Sequence, residues 1–183
     1  ALADAAEFNP GPDRRMELVN MGRRIIEVAR QMYAFVIVDI GQDFSRPLHR
    51  AALEAANEVL VTVPPTWTAV VDAANAMPPL RHRFGDLSKF KLVITRYSPD
   101  FGLSEKEIIQ EVGLTRLVTI PHDALVAETA INSRMPFVLT DQGPLGESVR
   151  ELAATYLPYL AEQRRRSGRG LFAGLKRALV REG

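Results

Sequence analysis

The sequence predicts an α/β fold in which a mostly parallel sheet is flanked by helices on both faces. Three observations lead to this prediction. Short apolar runs alternate along the chain with longer segments of helical periodicity, which is the order that βαβ units require. The apolar runs are continuous rather than alternating with polar residues, which predicts strands buried on both faces. Turn and helix-capping residues separate the two kinds of segment.

The first half of the chain contains two predicted helix–strand pairs. Residues 14–32 have apolar side chains every three or four positions, the spacing of an amphipathic helix. The mostly β-branched run Phe35–Val38 follows as the first buried strand. A second helix is predicted over 47–56 and a second strand over Val59–Val63. A helix over 67–77 completes this half.

The second half repeats the pattern. A basic loop around Arg81–Arg83 leads to a predicted strand over 91–95. Ser104 and Glu107 have the S-x-x-E spacing of a capping box, which predicts a helix that begins at Glu105 and ends at Val112. The last predicted elements are a strand and two helices, at 117–120, 124–133 and 144–160.

Length and composition indicate one domain of ordinary size. The 183 residues are 46% hydrophobic, which is ample for a core, and 23 Lys and Arg nearly balance 22 Asp and Glu. That balance argues against nucleic-acid binding through the charge of the whole domain. The sequence has no cysteine, which excludes disulfides, zinc–thiolate sites and iron–sulfur clusters and fits a reducing compartment.

Targeting signals are not evident in the sequence. No apolar run approaches the roughly 18 residues of a membrane span, and no secretory signal opens the chain. We therefore expect a cytoplasmic protein, peripheral at the inner face of the cell membrane if its C-terminal segment binds lipid. The chain starts with Ala1 rather than Met, as a piece of a longer protein would.

Ligands of parallel sheets bind at the carboxyl ends of the strands, so the residues that follow each strand are the site candidates. The first is Asp39, directly after Phe35–Val38. A carboxylate there can hold a magnesium-bound water, since Mg²⁺ keeps several waters and takes one or two carboxylates. The alternative is that Asp39 caps the next helix or turn. Gly41 would let the backbone approach a phosphate closely.

The residues after the later strands carry weaker signals. Pro64-Pro65-Thr66 indicates a stiff turn with a helix cap, and Trp67 is expected in the core or an interface. His122 has no His or Cys at metal-ligand spacing, which disfavours a metal role. The sequence contains no G-x-S-x-G elbow for a nucleophilic serine, and no paired carboxylates stand out.

Two stretches resemble a known family. Tyr33–Asp39 is similar to the Y-D-x-V-I-V-D strand of the MinD/ParA-type P-loop ATPases, the deviant Walker group of the SIMIBI class. An ordered series further on resembles the CpaE/TadZ branch, the MinD-like proteins of Flp and type IV pilus assembly. Its members are Arg96-Tyr97, Pro99, Gly102-Leu103-Ser104, Ile120-Pro121, Asp123, Ala130-Ile131-Asn132, Arg134 and Pro136. The resemblance covers about Leu2 to Tyr156.

The resemblance implies a P-loop NTPase-like fold with a site for ATP and Mg²⁺. Asp39 would be the Walker B-like carboxylate that holds Mg²⁺ through water, and Gly41 would lie near the phosphates. The family commonly has an Asn that contacts the base where this chain has Thr95, which offers one hydroxyl in place of an amide. The residues that would line the adenine pocket are Thr95, Arg96, Pro121 and Asp123.

The resemblance also implies partners. ATP would be bound within a homodimer, and hydrolysis would release the dimer or its membrane contact. The intact protein would position pilus or secretion machinery, together with polar-localisation proteins.

The P-loop of that family is missing from the sequence. G-x-x-x-x-G-K-[ST] supplies the backbone N–H cradle and the Lys that hold the phosphates. No segment matches it, and Gly170–Lys176 has the wrong spacing. We therefore expect that the chain alone does not hydrolyse ATP, and that the P-loop lies upstream of Ala1 in the intact protein.

Two other functions stay open at this point. The first is a non-catalytic scaffold that dimerises and recruits partners. The second is a ParA-like partitioning protein that binds DNA, which is disfavoured because no basic face is evident outside Arg81–Arg83 and the C-terminal segment.

Composition divides the chain near its C-terminus. Residues 1–162 are predicted to form the C-terminal portion of a MinD/ParA-like nucleotide-binding domain, 163–170 a basic linker and 171–183 an amphipathic tail. Such a tail can lie on an anionic membrane, or it can dock on its own domain or on a partner. The residues expected to meet a membrane are Leu171, Phe172, Leu175, Lys176, Arg177 and Leu179.

Overall fold

The computed structural model of the protein describes residues 11–41, 44, 46–156 and 158. The chain divides into two compact units, one that ends at Val59 and one that begins at Leu60. The predicted linker and amphipathic tail lie outside the described residues, as does the short apolar stretch at the start of the chain.

The first unit is a pair of helices, α1 (Pro12–Met32) and α2 (Pro47–Ala55). Each has a proline in its first turn, where the missing N–H costs no hydrogen bond. Gly22 is buried where the two helices meet, and a Cβ there would lie 3.0 Å from the Cβ of Ala51. The glycine therefore permits the close approach, which an Arg23–Glu54 ion pair of 2.5 Å accompanies.

The prediction of a buried strand at Phe35–Val38 is wrong for this structure. No strand is assigned between Tyr33 and Gly41, and Ile37 is 93% exposed. A continuous apolar run becomes a central strand only when strands lie beside it and helices cover both faces. The described part of the chain supplies the apolar residues but not that covering. One face of α1 is likewise apolar but not covered by other described residues. Its exposed side chains are Met21, Ile25, Val28 and Met32.

The second unit contains a three-stranded sheet, and here the predicted fold class is confirmed. The strands are β1 (Val59–Val63), β2 (Phe90–Tyr97) and β3 (Leu117–Pro121), in the order β1-β2-β3. β2 and β3 run parallel, with Leu92 opposite Leu117. The first five residues of β2 are all buried, Lys91 among them, and its apolar residues Leu92, Val93 and Ile94 lie at the centre of the core.

Among the described residues of this unit, four α-helices connect and flank these strands. They are α3 (Trp67–Phe84), α4 (Glu105–Val112), α5 (Ala124–Ser133) and α6 (Pro144–Ala154), with a 3₁₀ helix at Phe137–Leu139. α4 packs on α3, while α6 packs on β3 and on the 3₁₀ helix. On the face of the sheet that α6 covers, Leu145 packs against Val93 and Ile120. None of the described helices has the length and the apolar composition of a membrane span.

α3 is longer than its sequence pattern predicts. It continues through Pro78 and Pro79 to Phe84, so the expected basic loop at Arg81–Arg83 is its last turn. A proline inside a helix removes a hydrogen bond and costs about 3 kcal/mol. This helix contains two of them and still buries Met77 before them and Leu80 after them, so packing on both sides of the prolines holds the helix together. The basic residues then lie at the negative end of the helix dipole.

Candidate functional site

The carboxyl ends of β2 and β3 meet at one edge of the sheet. Tyr97 lies opposite Pro121, and the register shifts between Ile94 and Tyr97. The backbone N–H of His122 donates to the carbonyl oxygen of Tyr97 at 2.7 Å. Because the shift falls at Thr95 and Arg96, the ladder bulges at these two residues, directly before Tyr97. The sequence-predicted residues of the adenine pocket are thus brought to one edge.

Arg96 adopts an unusual backbone conformation at this edge. Its φ is 53°, in the left-handed region that costs a non-glycine residue roughly 1–2 kcal/mol. Its side chain is exposed, whereas Thr95 is half-buried beside it. A strained backbone conformation persists only where the surrounding structure maintains it. Such conformations are concentrated at binding and catalytic sites.

Asp123 fixes the turn after β3. Its carboxylate accepts the backbone N–H of Val126 at 3.0 Å and so caps α5. A carboxylate cap satisfies an otherwise unpaired N–H and interacts favourably with the helix dipole. This contact gives Asp123 a structural role at a position where the family resemblance implies nucleotide binding. Pro121, two residues earlier, is half-buried.

A loop from Ser98 to Ser104 joins this edge to the end of β1. Ser98 and Phe101 form an isolated antiparallel bridge within it. Gly102 has φ 87°, and a Cβ at this position would lie 2.6 Å from the carbonyl oxygen of Pro65. The same oxygen accepts the N–H of Leu103 at 3.0 Å. The turns after β1 and β2 are therefore in direct contact, and only glycine fits between them.

The sequence did not predict that two aromatic rings lie together at this edge of the sheet. Phe101 is 58% exposed, and its ring meets the exposed ring of His122 edge-on, at 5.8 Å and 83°. Trp67, at the start of α3, is 59% exposed and so is not a core residue. The signal available in the sequence was an aromatic residue beside a glycine in a loop that follows a strand.

The loop ends in the predicted capping box. Glu107 N–H donates to the Ser104 hydroxyl oxygen at 3.3 Å, and Ser104 N–H donates back to the Glu107 carboxylate at 2.9 Å. The Ser104 hydroxyl also donates to that carboxylate, at 2.6 Å. These two hydrogen bonds from Ser104 hold the pKa of Glu107 below its ordinary value. The box anchors the end of the 98–104 loop on α4.

Asp39 and Gly41 belong to the first unit, and both are exposed. A Cβ on Gly41 would meet only His49, at 3.8 Å, so nothing crowds this glycine. Asp39 does not follow a strand, and the described residues contain no group of three His, Cys, Asp or Glu able to hold a metal ion. One carboxylate is compatible with water-mediated Mg²⁺ binding but does not indicate it. The magnesium role of Asp39 stays a prediction.

No family model matches the chain, and no curated protein does. Solved structures do match. A ParA family ATPase from Chlorobium tepidum TLS superposes with a TM-score of 0.63 at 19% identity, over 72% of this chain and 55% of that one. The fold is MinD/ParA-like. This is the α/β fold class that the sequence predicts.

Two further structures have the MinD/ParA-like fold. The MinD cell division protein of Aquifex aeolicus has a TM-score of 0.59 at 18% identity, over 74% of this chain and 61% of that one. The MinC:MinD cell division protein complex from the same organism has a TM-score of 0.60 at 18% identity, over 74% of this chain and 59% of that one. The chain thus spans 55–61% of the length of the solved chains that it matches.

Proposed function

We propose that this chain is the base-binding and dimer-forming portion of a MinD/ParA-type ATPase that positions cellular machinery. One observation carries the proposal: Tyr97, which directly follows Thr95 and Arg96, pairs with Pro121 and accepts the N–H of His122 at the carboxyl edge of a MinD/ParA-like sheet. Ligands of open α/β sheets bind at this edge. The resemblance of the 96–136 series to the CpaE/TadZ branch makes pilus or secretion machinery the proposed cargo.

The chemistry of the edge suits a purine base better than a phosphate. Thr95 offers a hydroxyl that both donates and accepts, and the Arg96 guanidinium can stack on a planar ring. The edge-on pair of Phe101 and His122 adds apolar ring surface. The Asp123 carboxylate already caps α5, and the His122 N–H already donates to Tyr97. Thr95 and Arg96 would therefore make most of the contacts with the base.

The phosphate-binding half of the site is assigned to polypeptide outside this sequence. No G-x-x-x-x-G-K-[ST] occurs in the 183 residues, so the chain has no backbone cradle of that kind for the phosphates. In the intact protein Asp39 would hold Mg²⁺ through water, and bound Mg·ATP would supply the chemistry of hydrolysis. Two such copies would enclose the nucleotide as a homodimer. The chain alone would bind the base weakly and hydrolyse nothing.

Association with the inner face of the membrane is part of the proposal. It is supported by the basic linker 163–170 and by the apolar stripe of the tail, a combination that binds anionic lipid. Truncation before Arg164 should abolish flotation with phosphatidylglycerol vesicles and leave phosphatidylcholine controls unchanged. Undiminished flotation of the truncated chain would remove the membrane role.

The base-binding role is tested by titrating adenosine and guanosine, at millimolar concentration, into the isotopically labelled chain. Adenosine should shift the amide resonances of 95–97 and 121–123 and leave those of α4 near Ile109 unchanged. Guanosine should give smaller shifts if Thr95 retains selectivity for adenine. Absence of any response at the sheet edge, in a folded sample, would contradict the proposal.

A non-catalytic scaffold is the second candidate. It is favoured by the lack of a P-loop motif in the sequence, and by a Thr at position 95 where the resembled family has an amide. A scaffold should form the same dimer with and without nucleotide. Analytical ultracentrifugation in the presence and absence of ATP and Mg²⁺, on a polypeptide extended upstream, separates the two candidates.

A further inference from the structure

We propose that residues 171–179 of the predicted amphipathic tail bind back onto their own chain in an apolar groove beside α5. One wall of this α5 groove is formed by Leu125, Thr129 and Ser133 of α5, and the other by Phe137, Thr140 and Asp141. The inference concerns where the tail lies when no membrane is present, and it does not depend on nucleotide binding.

The α5 helix is apolar but poorly covered by the rest of its unit. None of its residues is buried, and Leu125 and Ile131 are 76% and 74% exposed. Its main attachment to the core is Val126, which packs with Phe137 against Val93, Ile120 and Leu145. Of these two residues Leu125 lines the groove, to which it contributes exposed apolar surface.

The size of the groove favours a helix over a small molecule. Its cavity has a volume of about 240 Å³, below the roughly 300–1,000 Å³ of typical ligand pockets. A cavity of this size suits a few side chains of a helix that lies in a groove.

The tail matches the groove in spacing and in length. Leu125, Thr129 and Ser133 recur every four residues along the wall. Leu171, Leu175 and Leu179 recur at the same interval in the tail, so one side of a tail helix would carry all three. A helix of this length and α5 itself would each extend about 14–15 Å.

The connection between them is long enough. α6 starts beside the groove, since the Gly146 N–H donates to the Asp141 carboxylate at 2.7 Å. It ends at Ala154, about 16 Å further along. The segment 155–170 can span on the order of 50 Å when extended, so a return to the groove is geometrically easy. Tethering also raises the effective concentration of the tail at the groove to the millimolar range.

Charge favours the same contact. Of the 23 Lys and Arg, seven lie in 163–183, as does one of the 22 Asp and Glu, so this segment carries a net charge of +6. The first 162 residues carry the other 16 basic and 21 acidic residues, a net charge of −5. Near the groove itself Glu128 and Asp141 are balanced by Arg134 and by Arg150, which donates to the Asp141 carbonyl oxygen, so the attraction comes from the net charges of the two segments. The attraction lowers the cost of ordering the tail.

The natural chain has no cysteine, so a pair of introduced thiols reports proximity without interference. We expect the double variant Thr129→Cys, Leu175→Cys to form an intramolecular disulfide at least tenfold faster than the control Lys106→Cys, Leu175→Cys. Positions 129 and 175 are central in their segments, so the result does not depend on the direction in which the tail lies. Thr129 and Lys106 are both exposed, so their replacement by cysteine should not impair folding.

The outcomes separate the possible occupants of the groove. Fast formation of a crosslinked monomer supports the inference. A crosslinked dimer as the main product, at low protein concentration, would assign the groove to a second copy, and equal rates for the two pairs would exclude the tail. Glu128→Lys added to the Thr129 pair should slow the reaction several-fold, whereas the matched charge reversal Glu111→Lys on α4 should not. Vesicle flotation tests the membrane role separately, so either proposal can fail alone.

Discussion

The backbone N–H of Leu103 donates to the carbonyl oxygen of Pro65 at 3.0 Å, which ties the turn after β2 to the turn after β1. The residue before Leu103 is Gly102, whose missing side chain leaves room for that oxygen. On the other side, the His122 N–H donates to Tyr97 and ties the turn after β3 to the end of β2. The carboxyl edge of the sheet is therefore one connected backbone structure.

Gly102→Ala should loosen this connection. The substitution combines a φ of 87° with a Cβ placed 2.6 Å from the Pro65 oxygen. The backbone strain alone costs roughly 1–2 kcal/mol, and the clash adds to it because the obstructing atom is backbone. Urea denaturation gives the change in the free energy of unfolding.

Gly85→Ala is the matched control for this prediction. Gly85 has φ 68° and ψ −81°, and a Cβ there meets nothing within 4 Å, so the control has a positive φ without the clash. The Gly102 variant should be the less stable of the two by about 1 kcal/mol or more. Equal losses would mean that the Pro65 contact does not constrain the loop.

Arg96→Gly should separate binding from stability. Arg96 and Arg134 share a φ of 53°, so glycine relieves the same left-handed strain at both positions. The gain is offset by the flexibility of glycine in the unfolded chain, and each variant should stay within about 1 kcal/mol of the parent protein. Only Arg96→Gly should weaken the adenosine-dependent resonance shifts. A comparable loss for Arg134→Gly would show that Arg96 does not contact the base.

Much of the second unit could be predicted from sequence because its local signals agree with its tertiary contacts. β2 has a continuous apolar run and is buried at its centre, and the Ser104 capping box starts α4 where its spacing predicts. α5 also has its predicted bounds, since Asp123 caps one end. Agreement between local preference and packing makes such elements predictable.

The failures arise where tertiary contacts decide the outcome. The run Phe35–Val38 has strand-like composition, but its burial depends on neighbours that the described part of the chain does not place around it. At Pro78-Pro79, local preference predicts a helix end, whereas burial of Leu80 continues the helix. The bulge at Thr95 and Arg96 has no local signature at all, because it follows from the register between β2 and β3.

The capping box should contribute a pH dependence to stability. Hydrogen bonds from Ser104 hold the pKa of Glu107 below its ordinary value of 4.5. The folded state therefore binds this proton less readily than the unfolded state, so the contribution is present above pH 4.5 and is lost as the pH falls through the lower, folded pKa. Glu107→Gln keeps a capping-box side chain but cannot titrate. Its urea midpoint should fall less steeply below pH 4.5 than that of the parent protein. The exposed glutamate of the same helix provides the control Glu111→Gln, and a pH profile at Glu107→Gln identical to the parent's would contradict the linkage.

Asp39→Asn tests the assignment of the magnesium carboxylate, in a polypeptide that carries a P-loop upstream of this sequence. If Asp39 orders a metal-bound water, its amide should reduce Mg-dependent ATP turnover on the order of 100-fold, since the amide has no charge to orient that water. Metal-free nucleotide binding should be unchanged, because the proposed base contacts are those of Thr95 and Arg96. Asp43→Asn, four residues further on, is the matched variant and should retain turnover. Loss of turnover in Asp43→Asn, with activity kept in Asp39→Asn, would move the metal site to Asp43 and leave Asp39 the role of a turn or helix cap.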